Sequence, residues 1–123
     1  MASATVLILG WDPETVPGYD PAPVVAALER GRRRLDERGI SHRLGLVPFD
    51  DTAEERIVEL LRREPYACVV IGGGIRKQEE LLELFETVVN LVRRHAPQAA
   101  IAFNRTPDDM ADAAERWVAP GPG

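Results

Sequence analysis

The residues best placed to do chemistry are a glycine triplet and the two cations behind it, Gly72-Gly73-Gly74 with Arg76 and Lys77. They follow the run Val69-Val70-Ile71, so a buried strand should turn directly into an amphipathic helix. Free backbone N–H groups at such a turn can receive an anion, and glycine lets a ligand approach the main chain. Two more segments should reach the same place, because Trp11 and Asp12 follow one apolar run and Asn104 and Arg105 follow another. Arg76, Lys77 and Arg105 supply charge, Asn104 can orient a ligand, Trp11 can stack on a flat one, and Asp12 is the candidate base. The set suits a carboxylate- or phosphate-bearing small molecule. Its enzymatic form would be a lyase or isomerase step, since no activated nucleophile accompanies it.

Each of these residues also has a purely structural reading. The glycines fit a tight strand-to-helix turn or a partner surface as well as an anion seat built from the Gly73 to Ile75 amides. Asp12 precedes a proline and forms turns readily. Asp50 and Asp51 precede a helix, where a carboxylate caps. Asn104 and Arg105 fit a turn and cap, and Trp11 a cover for the sheet edge. Gly72-x-Gly74-x-x-Lys77 lacks the last glycine of the dinucleotide fingerprint and does not fit the GxxxxGK phosphate loop. No cluster has metal-ligand spacing and no cofactor is expected.

The elements that position these residues alternate. Strands are expected at Thr5 to Leu9, His42 to Val47, around Val69 to Ile71, and Ala99 to Phe103. Helices are expected from about Pro23 to Arg38, from the Thr52 cap to Glu64, from about Gln78 to His95, and after Thr106-Pro107. In the first, Val24, Leu28, Gly31 and Leu35 form one stripe, with Gly31 packed closely on the sheet; Arg30 and Arg32 to Arg34 read as a solvated face. Thr52 and Glu55 have capping-box spacing. The pattern predicts a three-layer α/β sandwich, flavodoxin-like or Rossmann-like, with a four-stranded parallel sheet in the order 2-1-3-4. Ligands in such sheets bind at the carboxyl ends of the strands, where the order reverses. The proline-rich connection 11–23 and the turn 72–77 would face each other there, with the connection as a mobile lid. His42, Cys68 and His95 fall at the opposite edge, so the commonest base and the best nucleophile lie away from the site.

The chain has 123 residues, 45% hydrophobic and 28% charged, with a net charge of −5. That suits one globular domain, residues 1–118 with a flexible tail at 119–123, and disfavours a nucleic-acid role. The apolar runs are strand-sized, so no membrane partner is expected, and Met1 to Ala4 lacks a signal peptide's basic region. One cysteine precludes an internal disulfide. A cytoplasmic setting follows.

The run IGGGIR at 71–76, the segment LFETVVN at 84–90, the PET of the first loop and the late IAFN at 101–104 resemble a group of small bacterial proteins with no assigned activity. Most of the chain shares that order of motifs, which implies the same fold and a bacterial cytoplasmic setting. The architecture is also similar to flavodoxins and response-regulator receivers, but their motifs are missing. GWDPET stands where a flavodoxin has a hydroxyl-rich phosphate loop, and glycines stand where a receiver has its aspartate. Neither flavin binding nor phosphoacceptor chemistry is expected.

The alternative to a small-molecule site is a non-enzymatic module, self-associating or docked on a larger enzyme. Leu82 and Val89 widen the apolar stripe of the third helix, and the fourth strand has no lysine or proline to discourage pairing. A homodimer is expected on those grounds.

Overall fold

The computed structural model describes residues 5–119. Met1 to Ala4 and residues 120–123 of the tail expected at 119–123 lie outside them. The chain forms an α/β three-layer sandwich whose four parallel strands, β1 (Val6–Trp11), β2 (His42–Val47), β3 (Cys68–Ile71) and β4 (Ala100–Phe103), run in the order β2-β1-β3-β4. All four strands match their expected positions to within two residues.

The helices are α1 (Ala22–Glu37), α2 (Ala53–Arg62), α3 (Gly73–Arg76), α4 (Leu82–His95) and α5 (Met110–Glu115). Alternation along the central strands assigns each side chain to a face. Leu7, Leu9, Val69 and Ile71 pack under α2 and α4, against Ile57, Leu61, Val88 and Val92. Val6, Ile8, Cys68 and Val70 pack under α1 and α5, against Leu35, Met110, Ala113 and Ala114. Because β1 and β3 are covered on both faces, nearly every residue in them is apolar.

Four local readings need correction. The helix expected straight after the glycines is the single turn α3. A 3₁₀ turn at Glu79–Leu81 separates it from α4, so the long helix starts four residues later than its periodicity implied. Thr52 caps nothing with its side chain; the Asp50 carboxylate does the work, accepting from Thr52 N at 2.8 Å and Thr52 Oγ1 at 2.6 Å. Those bonds, the hydroxyl's first, hold the Asp50 carboxyl below its usual pKa. Gly31 packs on the Pro107 turn and Met110 rather than on the sheet.

The arginine run is the fourth. Arg30 holds Asp108 through two bonds of 2.8 and 3.3 Å, Arg34 donates to the Asp108 carbonyl, and Arg38 pairs with Asp112 at 2.7 Å and Glu115 at 3.2 Å. Arg32, paired within its own helix with Glu29 and Asp36, and Arg33, 3.7 Å from Glu29, behave as the expected solvated face. The residues spaced by four along α1 thus form a ladder that fastens the C-terminal segment to it. The Arg30 hydrogen bond holds the Asp108 carboxyl low.

At the amino edge of the sheet, Cys68 is fully buried, and burial pushes its thiol up to about 11. A thiol so protonated is a poor nucleophile, which agrees with its expected distance from the site. No helix is long and apolar enough to cross a membrane among the described residues.

Candidate functional site

The sheet order reverses between β1 and β3, and a cavity of about 630 Å³ opens at their carboxyl ends. Connection 11–23 supplies one wall through Val16, Pro17 and Tyr19, and α1 continues it with Val24 and Leu28. Across from them stand Gly72 to Gly74, Lys77 and Gln78. Asn104 to Pro107 and Met110 complete the lining beside Trp11. The crevice expected from the sequence is therefore present, and most of its wall is apolar.

Connection 11–23 is ordered in two ways. Asp12 Oδ1 accepts from Glu14 N at 3.0 Å and caps the 3₁₀ turn Pro13–Thr15. Thr15 Oγ1 then accepts from Phe49 N at 2.9 Å, tying the turn to the segment after β2. Residues beyond Thr15 carry Gly18 at φ 88°, a left-handed turn that favours glycine. The connection expected to act as a lid forms one wall of the crevice and carries hydrogen bonds along its first half.

Trp11 lies edge-on to Phe49, with centroids 4.8 Å apart, and its Nε1 donates to Gly74 O at 3.1 Å. One indole therefore fastens the first loop to the glycine turn. Close approach explains two of the glycines: a Cβ on Gly74 would meet Trp11 Cδ1 at 3.0 Å, and one on Gly72 would meet the Leu9 carbonyl oxygen at 3.0 Å. Of the amides considered for an anion seat, that of Ile75 already donates to Gly72 O.

The cations divide. Arg76 reaches inward: its Nε donates to Ile71 O at 2.7 Å, a second nitrogen donates to Asn104 O, and the guanidinium lies 5.2 Å from the centre of the Phe103 ring. It braces the ends of β3 and β4, and burial pushes its pKa down. Lys77 donates to Arg105 O from the rim, and Arg105 is exposed, 3.9 Å from Asp109. The structure therefore brings together Trp11, Gly72, Gly73, Gly74, Lys77, Asn104 and Arg105 on one cavity. Asp12 and Arg76 stand beside it and are not among its lining residues.

Asn104 is 5% exposed although it is polar. Its Nδ2 donates to Thr106 O at 2.7 Å, while its Oδ1 is buried without a hydrogen-bond partner among the described residues. The segment behind it is held by Asp109, whose Oδ1 accepts from Arg105 N at 2.9 Å and Thr106 N at 3.0 Å. The Thr106 cap expected from the sequence is present as a capping box.

A second hollow, of about 720 Å³, runs along α4 between Glu86 and Pro97. It is walled almost entirely by one helix and lies away from the carboxyl edge. No group of acidic, histidine and cysteine side chains among the described residues could hold a metal ion.

With this geometry in hand, comparison with known proteins adds little about chemistry. No family model and no solved structure matches the chain. Over 69 residues it is 36% identical to Protein unc-33 of Caenorhabditis elegans. That match covers 55% of this chain and 8% of the worm protein's length, so it is a local similarity.

Proposed function

We propose that this protein binds a small carboxylate- or phosphate-bearing molecule with an apolar body in the crevice between β1 and β3. The observation that carries the reading is the make-up of the lining: Lys77 and Arg105 are its charged residues, no carboxylate joins them, and the rest is largely apolar or aromatic. Such a site attracts an anion at its rim and buries an uncharged body within, the usual plan of a small-molecule pocket. Binding without turnover fits better than a lyase or isomerase step, because Asp12 is engaged as a cap and lies off the lining. A bacterial cytoplasmic setting, implied by the resemblance, belongs to the same proposal.

Benzoate and inorganic phosphate are suitable first probes. At saturating concentration either should raise the melting temperature, as any ligand of the native state must. The double variant Lys77→Gln/Arg105→Gln should lose at least about tenfold in affinity, the weight of one charge-assisted hydrogen bond. Equal affinity in wild type and variant would remove this crevice as the anion site.

Self-association is the second reading, favoured by the strand edge. β4 pairs with β3 alone, and Phe103 and Leu82 are 43% and 62% exposed. Val89 contributes less than its spacing implied, since it is half-buried against the core. Sedimentation at micromolar concentration should give a particle of twice 13.6 kDa that Leu82→Glu dissociates; a wild-type monomer defeats this reading.

A further inference from the structure

We infer that Gly10 is the specificity-determining residue of the crevice, its bare main chain forming a floor on which the flat ring of an aromatic carboxylate rests. This rests on the anion-binding reading above and deepens it.

Glycine weakens a strand, and where a strand holds one it marks a bulge, a tight bend or the close approach of a ligand or another backbone. Gly10 lies within β1, one residue from its end. No bulge accounts for it, because its pairing with Leu46 continues an unbroken register from Val6 opposite His42 to Trp11 opposite Val47. Nor does backbone conformation, since positive φ is confined to Gly18 and Gly39 among the described glycines. Neighbouring atoms do not account for it either. A Cβ at Gly31, Gly45, Gly72, Gly73 or Gly74 would approach another atom to 3.1 Å or less. One at Gly10 would meet only Leu46 Cδ2, at an ordinary 3.7 Å. The fold has space for a side chain here and carries none.

That space belongs to the crevice. Gly10 and Leu46 both line it. Alternation along β1 sends Val6 and Ile8 to the α1/α5 face, so a Cβ at Gly10 would project on the same side. That side also supplies Leu28 of α1 and Met110 of α5 to the lining. Gly72 stands alongside, one step beyond the pairing of Leu9 with Ile71, and its own Cβ would lie 3.7 Å from Gly10 Cα. The ends of the two central strands thus present adjoining main chain with no side chain between them. A flat ring can lie face-on against such a surface with all its atoms in van der Waals contact. A puckered ring touches it with only some of its atoms. Lys77 and Arg105 in the same lining then receive the carboxylate.

Calorimetry with benzoate, cyclohexanecarboxylate and inorganic phosphate tests this. Wild type should bind benzoate about tenfold more tightly than cyclohexanecarboxylate, which has the same charge and a puckered ring. Gly10→Val puts a branched side chain on the floor, and the preference for benzoate over phosphate should fall at least about tenfold. Gly10→Ala, with one methyl in open space, should melt at or above the wild-type temperature. Wild type alone gives an independent readout, which stands even where the valine variant does not fold. The ring current of bound benzoate should move the Gly10 α-proton resonances upfield, and cyclohexanecarboxylate should not. If the valine variant keeps the wild-type preference, if the alanine variant melts lower, or if the Gly10 resonances ignore benzoate, the role of Gly10 is overturned and the anion site survives. If neither benzoate nor phosphate binds wild type, both readings fall.

Discussion

Replacing Gly31 by alanine should destabilise the protein by about 1–3 kcal/mol, although alanine is the better helix former by about 1 kcal/mol. A Cβ at that position would sit 2.2 Å from the Pro107 carbonyl oxygen and 2.6 Å from Met110 Cε. The methionine can turn aside, but the carbonyl belongs to a backbone turn and cannot. Either α1 or the 107–109 turn must retreat, loosening the Arg30 and Arg34 contacts to Asp108 that lie on the same seam. Pro107 and Met110 also line the crevice, so ligand affinity should fall along with stability. Urea denaturation measures the first effect, and titration of the surviving native state the second. A variant as stable as wild type would show that the two helices do not approach so closely.

The second large effect is expected at Arg76. Arg76→Met retains most of the aliphatic stem, removes both bonds to the Ile71 and Asn104 carbonyls and takes the guanidinium off the Phe103 ring. Hydrogen bonds from a charged donor contribute about 1.5–3 kcal/mol each, and neighbouring ones do not add fully, so a loss of about 2–4 kcal/mol follows. Arg76→Lys should recover only part of it, because a single ammonium on a flexible stem lacks the planar fork that spans two carbonyls. Equilibrium denaturation gives the magnitude, and amide exchange in β4 should rise first. Full stability in the methionine variant would mean that the brace contributes nothing. This also separates Arg76 from the ligand site: its loss should weaken the fold, whereas loss of Lys77 and Arg105 should weaken binding.

The sheet and its order were legible because β1 and β3 are apolar on both faces, a pattern that places them centrally, and because parallel crossovers leave few topologies. The crevice followed from that order without any side-chain detail. What could not be read is where long side chains end up. Arg76 looked like part of an anion seat because it follows three glycines; a helix of a single turn instead directs it back to the strand ends. Gly31, Arg30, Arg34 and Arg38 meet partners more than seventy positions away, and no local periodicity encodes such a pairing. Asn104 was singled out for its place after a strand, but its unmatched oxygen depends on burial supplied by the whole fold.

The arginine ladder between α1 and the C-terminal segment also sets an order of events during synthesis. The α2/α4 face of the sheet is covered by residues that end at Ala96. The opposite face waits for Met110 to Ala114, which lie far from α1 in sequence although they pack with it. At about 5–20 residues per second, a nascent chain has β3 out of the ribosome for roughly a few seconds before those residues follow. Val6, Ile8, Cys68 and Val70 spend that interval half-covered by α1, with β3 an open sheet edge until β4 forms. This is the period in which the growing chain is most open to chaperones and to pairing with its neighbours on a polysome. The acidic groups Asp108, Asp112 and Glu115 arrive last, onto arginines already set at one-turn intervals along α1.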